Sequence, residues 1–277
     1  VGALVQGNIP QEKKWKYEYR QLTLDRYEQM TDELWGKSDF IVWPETAVPD
    51  FLNYVVDDYL MPLKQRAIDE GKTLILGIPY YESETERYYN SVLSLSDNSG
   101  IYHKRHLVPF GEYLPLRSLF GDSLDFLGTP HGDFASGKTV QKPLFVGEHP
   151  VAASVCFEIV FGDEIRHDAK QAHWLINVSN DGWFGNSIAP HQHLQISRMR
   201  ALETNRDLVR STNTGISAFI RADGTIALQT PQFEQTVLTE SVQPRVGNTP
   251  YMQWGDWPIV GLCLGLLLVS IGLRNRV

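Results

Sequence analysis

The sequence predicts an α/β fold, a mixed sheet covered by helices in layers. Strand-like apolar runs and helix-period segments alternate through the first half, and hairpins with turn signals take over in the second. The length of 277 residues is enough for one substantial core.

Residues 1–6 form an apolar run that reads as a first strand. Trp15, Tyr19, Leu22, Tyr27, Met30 and Leu34 recur at three- and four-residue spacing, predicting an amphipathic helix that ends at Gly36. A strand over 39–43 is halted by Pro44. A second helix over 57–70 is closed by Gly71. Strands follow at 73–79, 89–95 and 101–103, with Asp97-Asn-Ser-Gly100 as a turn. The Pro-, Gly- and aromatic-rich stretch 105–140 reads as a long loop, a place where function is often carried. Strands at 150–156 and 172–179 precede a helix that begins near Pro190, and strands at 208–212, 217–220 and 225–229 close the set. Residues 1–245 read as one catalytic domain, 246–256 as a connector and 257–273 as an apolar helix.

A net charge of −8 argues against nucleic-acid binding, which needs a basic face. The two cysteines, Cys156 and Cys263, lie in unrelated contexts and predict no structural disulfide. No glycine-rich phosphate loop or dinucleotide fingerprint appears, so no cofactor is expected. His191 and His193 have no carboxylate or third histidine at local ligand spacing, so no metal site is expected either.

Trp257 to Leu273 is 17 residues without a charge, with Trp254 and Trp257 at one end and Arg274 and Arg276 at the other. That pattern predicts a transmembrane helix. Gly261, Gly265 and Gly272 would weaken a helix in water but are common in lipid. The arginines then mark the cytoplasmic side and put the domain on the periplasmic face. The chain opens at Val1 inside a strand-like run, so upstream membrane-spanning sequence is expected as its export route.

Cys156 ends the apolar run 151–155 and is followed at once by Phe157 and Glu158. A lone buried cysteine is usually inert core. Here Glu45 and Lys104 also stand just past strand-like runs, where an open sheet presents functional groups. A thiol with a free pKa near ~8.5 needs a base to become a nucleophile at neutral pH. Glu45 is the candidate base, Lys104 and the Phe157 N–H are candidate oxyanion donors, and Glu112 or Glu158 is a candidate partner for Lys104. An acyl-transfer enzyme is the expectation.

The order Glu45, Lys104, Cys156, within PE, HKRHLVPFGE and CFE, resembles the Glu–Lys–Cys triad of the nitrilase (carbon–nitrogen hydrolase) superfamily. The longer strings WPETAVP, HLVPFGEYLP, CFEIVFGD, SNDGWFGNS, HQHLQISRMRALE and RSTNTGISAFI resemble its apolipoprotein N-acyltransferase family, over essentially the whole chain. That resemblance implies a nitrilase-like αββα sandwich followed by one C-terminal transmembrane helix, with N-terminal membrane helices preceding it. It also implies a monomer in the bacterial inner membrane, with the domain facing the periplasm.

The implied reaction moves an acyl chain from a phospholipid, through a Cys156 thioester, to the α-amine of a diacylglyceryl-cysteine apolipoprotein. By the same resemblance Glu45 is the base, Lys104 the triad lysine, Glu112 and Glu158 support the site, and Trp15 and Trp183 flank its mouth. Phe157 stands where the family often has tyrosine, which removes a hydroxyl but keeps the backbone N–H. The alternatives are a hydrolase of small amides or nitriles using the same triad, and a membrane-anchored binding protein without activity. A soluble amidase has no use for the apolar helix.

Overall fold

A computed structural model describes residues 1–113 and 133–274. The strands are β1 (Gly2–Gln6), β2 (Phe40–Val42), β3 (Thr73–Glu82), β4 (Arg87–Leu95), β5 (Gly100–His103), β6 (Leu144–Val146), β7 (His149–Val155), β8 (Trp174–Ser179), β9 (Leu208–Thr212), β10 (Ala218–Ile220), β11 (Ile226–Gln229) and β12 (Thr236–Glu240). They build two six-stranded sheets, ordered β12-β1-β2-β3-β4-β5 and β11-β10-β9-β8-β7-β6, where the sequence reading from periodicity expects one. Each sheet has a parallel centre, β1-β2-β3 and β7-β8-β9, with antiparallel flanks. Alternation of side chains assigns each face. Leu4, Val42 and Ile75 of the first sheet pack with Val151, Ala153, Ile176 and Val209 of the second, forming the inner core. Ala3, Val5, Ile41 and Leu76 face the other way.

Helices cover both outer faces, so the layers run α, β, β, α. The helices are α1 (Gln11–Lys14), α2 (Tyr17–Asp32), α3 (Leu52–Val55), α4 (Met61–Asp69), α5 (Gly162–Ala169), α6 (Ala189–Thr204), α7 (Pro250–Trp254) and α8 (Trp257–Arg274). Leu24 and Tyr27 of α2 and Leu63 and Ala67 of α4 pack on the first sheet. Ile165 of α5, Leu194 and Ala201 of α6 and Met252 of α7 pack on the second. The expected helix over 57–70 begins earlier, passes through a π turn at Val56–Leu60 and continues as α4. Pro62, in the first turn of α4, cannot donate a backbone hydrogen bond and crowds the preceding turn, which accounts for the wider loop of helix before it. Most of the expected loop 105–140, including 114–126 of its aromatic segment, lies outside the described residues.

The apolar segment 257–273 is helical as α8, and its apolar side chains are exposed, from Val260 at 40% to Trp257 at 76%. Among the described residues no helix is long and apolar enough to cross a membrane. The fold supports the expected α/β sandwich, and the described residues alone do not show the expected transmembrane helix. At 1.5 Å per residue, α8 reaches about 27 Å, slightly less than the ~30 Å hydrocarbon core.

Candidate active site

The parallel strands deliver the candidate residues to one end of the sandwich. Glu45 follows β2, Lys104 follows β5 and Cys156 follows β7. All three are buried, with Lys104 only 1% exposed. Lys104 Nζ lies 2.7 Å from Glu112 Oε2 and 3.8 Å from Glu45 Oε1. Asn90, on β4, donates to both carboxylates, at 2.7 Å to Glu45 Oε1 and 3.0 Å to Glu112 Oε1. Glu112 Oε2 also accepts from the Val108 N–H at 2.8 Å. One asparagine and one lysine thus hold two buried carboxylates at fixed separation. Burial works against the Lys104 charge, but Glu45 and Glu112 overcome it and hold its pKa above the ordinary lysine value.

A second buried cation sits here that the sequence reading misses. Lys14, 3% exposed, donates from Nζ to the backbone carbonyl of Glu45 at 2.8 Å. Burial pulls its pKa down to about 8, against the attraction of Glu45 and Cys156. Two asparagines carry the segment that bears it. Asn213 accepts from the Ile9 N–H at 2.9 Å and donates to the Ile9 carbonyl at 2.8 Å, while Asn180 donates to Gln11 Oε1 at 2.8 Å. Trp15, next in sequence, is half-buried.

Cys156 lies at the junction of β7 and a 3-10 turn, Cys156–Val160, with φ of 51°. Non-glycine residues hold that left-handed conformation at a cost of roughly 1–2 kcal/mol, so the surroundings must impose it. Burial and the Glu45 carboxylate push the thiol up to about 12, with Lys104 pulling the other way. The resting thiol is therefore protonated, more so than free cysteine, and its proton must leave as the sulfur attacks.

Glu158 takes a different part from the one expected. Its carboxylate accepts from the Val155 N–H at 2.7 Å, the Arg105 N–H at 2.6 Å, the His106 N–H at 3.2 Å and the Tyr102 hydroxyl at 2.9 Å. It staples the segment after Lys104 to the strand that carries Cys156, and makes no hydrogen bond to the Lys104 ammonium. Burial raises its pKa against those three backbone donors. The Phe157 ring points outward, 38% exposed, in edge contact with Phe161. Trp183 stands 62% exposed on the 3-10 turn Asp181–Phe184.

Behind Cys156 is a network that sequence spacing does not reveal. Arg210 on β9 bonds Asp181 at 2.8 Å and also Asn177 of β8. Ser179 donates to Asp181 at 2.8 Å, and His193 of α6 sits 3.1 Å from the same carboxylate. Burial opposes the Asp181 charge, but Arg210 and His193 outweigh it and hold the carboxyl well below its usual range. Burial and Arg210 lower the His193 pKa, while Asp181 opposes them. Cys156, Asp181 and His193 place three potential ligand atoms within 4.8 Å of one another, so a carboxylate does stand near His193, contrary to the sequence reading. Both ring nitrogens and both Asp181 oxygens already have protein partners, and the group does not read as a metal centre. A charge inside the strand run 208–212 was the available signal, since a buried arginine demands a buried partner.

Gly77 of β3 is where the Glu45 turn packs closest. A Cβ there would lie 2.5 Å from the Thr46 nitrogen and 2.6 Å from both Glu45 Cα and the Pro44 oxygen. Gly77→Ala is expected to displace Glu45 and lower turnover by about 10²-fold, as misplacement of a catalytic group by ~1 Å does. Steady-state kinetics on the folded variant check this; unchanged kcat would mean that the turn yields freely.

Two facing sheets with helices outside, and a cysteine, a glutamate and a lysine placed just past strand ends, define the nitrilase-like class of fold. The carbon-nitrogen hydrolase family profile matches residues 3–251, and the chain belongs to that family. Among its relatives, an apolipoprotein N-acyltransferase of Methylococcus capsulatus is 46% identical over 99% of this chain and 54% of its own length. That of Haemophilus influenzae is 38% identical over 96% of this chain and 52% of its own. The chain thus spans about half the length of the curated relatives it matches. Two solved structures share the fold. XC1258 of Xanthomonas campestris, a CN-hydrolase superfamily protein, has a TM-score of 0.65 at 18% identity, covering 87% of this chain and 89% of its own. Nit3 of Saccharomyces cerevisiae, of the nitrilase superfamily, has a TM-score of 0.64 at 15% identity, covering 93% of each.

Proposed function

We propose that this chain is the catalytic domain of an apolipoprotein N-acyltransferase, using Cys156 as nucleophile, Glu45 as base and Lys104 as oxyanion partner. What supports the reading most is that Lys104 lies 3.8 Å from Glu45, that both act electrostatically on the Cys156 thiol, and that all three are buried. The name borne by relatives that align with nearly all of the chain supports the substrate class.

In the first half-reaction the Cys156 sulfur attacks the ester carbonyl carbon of a phospholipid while Glu45 takes the thiol proton. The oxyanion is met by Lys104 Nζ and the Phe157 N–H. Collapse breaks the ester C–O bond, and the leaving alkoxide takes the proton from Glu45 to depart as a lysophospholipid. In the second half-reaction the α-amino group of a diacylglyceryl-cysteine apolipoprotein attacks the thioester and gives a proton to Glu45. The C–S bond breaks, the sulfur recovers that proton, and an amide remains. Glu112 and Asn90 keep Lys104 and Glu45 apart and oriented throughout.

On this reading α8 seats its exposed apolar side chains in lipid, with Trp254 and Trp257 at the interface and Arg274 on the cytoplasmic side. The domain then works on the periplasmic face of the inner membrane, beside a donor that is barely soluble in water. Trp15 and Trp183 flank the approach of the acyl chain. Hydrolysis of a small amide or nitrile is the rival chemistry for the same triad, and the exposed apolar helix favours the lipid reading.

Incubation with a phospholipid carrying a labelled acyl chain and a diacylglyceryl-cysteine peptide tests the proposal. Label on the peptide α-nitrogen is expected. Ammonia release from small amides, with no label transferred, would replace this reading by the hydrolase.

A further inference from the structure

The carbonyl oxygen of Cys156 is held from outside its own strand. His193 Nε2 lies 3.0 Å from it and Asn177 Nδ2 lies 3.4 Å away. A carbonyl only accepts, so at this contact the hydrogen is on Nε2. Nδ1 sits 3.1 Å from the Asp181 carboxylate, which Ser179 and Arg210 hold in turn and which only accepts, so a ring anchored at both ends carries a hydrogen on each nitrogen. His193 is 7% exposed, and Asp181, Asn177 and Arg210 are buried more deeply still.

Peptide geometry turns that anchor into a directional device. The Cys156 C=O and the Phe157 N–H belong to one planar trans unit, so they point in opposite directions. Whatever draws the carbonyl towards α6 aims the amide hydrogen away from α6. Phe157 is the second residue of its 3-10 turn, so its N–H has no acceptor within that turn. The left-handed Cys156 backbone, which survives only where its surroundings impose it, is the joint that sets this plane.

We infer that His193 is a positioning residue that aims the Phe157 N–H at the reacting carbonyl oxygen, acting through the Cys156 carbonyl it holds. The inference rests on the covalent mechanism proposed above, though not on the identity of the acyl donor or acceptor. A His193 ring nitrogen lies within 4.8 Å of the Cys156 sulfur, yet the two ring nitrogens are directed at the Cys156 carbonyl and the Asp181 carboxylate rather than at the sulfur. The effect of His193 falls on reactions that build an oxyanion and spares those that do not.

Two reactions of the same sulfur separate these cases. Acylation by a p-nitrophenyl ester passes through a tetrahedral oxyanion, whereas alkylation by iodoacetamide displaces iodide without one. In His193→Phe the ester burst rate is expected to fall on the order of 10²-fold, while alkylation of Cys156 stays within about threefold. His193→Gln, whose amide N–H can reach the same carbonyl, is expected to recover most of the burst. Equal losses in both reactions would overturn the inference, as would an unchanged burst in His193→Phe or no recovery in His193→Gln. Absence of a burst in the unsubstituted chain would instead remove the covalent mechanism itself, so the two failures are distinguishable.

Discussion

Cys156→Ala is expected to abolish acyl transfer, with turnover falling roughly 10⁶-fold, as for loss of other covalent nucleophiles. No other described group at the site replaces the sulfur, because Glu45, Glu112, Lys14 and Lys104 are already tied to one another or to backbone. The fold should survive. Alanine keeps the Cβ, so the left-handed backbone is no more strained than before, and deletion of one buried atom costs about 1 kcal/mol. For a chain of this size that is a fall in melting temperature of about 2–4 °C. Kinetics together with a thermal melt check both halves. Appreciable turnover in the alanine variant would refute the nucleophile assignment.

Lys104→Met is the second large effect, and it should cost both rate and stability. Loss of an oxyanion partner lowers turnover by ~10²–10³. Glu45 and Glu112 would also lose the ammonium that lies between them. Breaking a buried ion pair from one side costs roughly 3–5 kcal/mol, because the remaining charge is left uncompensated. Adding Glu112→Gln to Lys104→Met removes one of the stranded carboxylates and should restore much of the melting temperature without restoring turnover. Recovery of rate along with stability would assign Lys104 to structure alone.

The three central residues were legible because each ends an apolar run, and a polar residue at a strand terminus is conspicuous. Of their partners, Glu112 was expected beside Lys104 and lies there, but the others were not legible. Lys14 lies in the polar stretch Gln11-Glu-Lys-Lys14, which reads as a wet helix face; only the distant asparagines Asn180 and Asn213 bring it inward. Asn90 is one polar residue in the aromatic strand β4, and nothing local says that it faces two carboxylates. Glu158 looked like a partner for Lys104 because it is two residues from the nucleophile, yet its oxygens go to backbone N–H groups and the Tyr102 hydroxyl.

The second sheet escaped the reading from periodicity for a related reason. Strands such as β1 and β8 are buried on both faces, so no alternation reports which layer they join. The strands at Leu144–Val146 and Thr236–Glu240 are short flanking strands whose pairing partners, rather than their own residues, define them. Helix α5 follows the nucleophile turn so closely that its residues read as part of the motif. The resemblance to the nitrilase superfamily, by contrast, implied both sheets and the helical outer layers.

The central claim is a thioester on Cys156, and intact-protein mass spectrometry after incubation with phospholipid tests it most directly. The account predicts a gain of one acyl chain, located on Cys156 by digestion, discharged by an amine acceptor and missing from Glu45→Gln and Cys156→Ala. A chain that transfers acyl groups yet never carries one on that sulfur, or that is fully acylated there without Glu45, would contradict it.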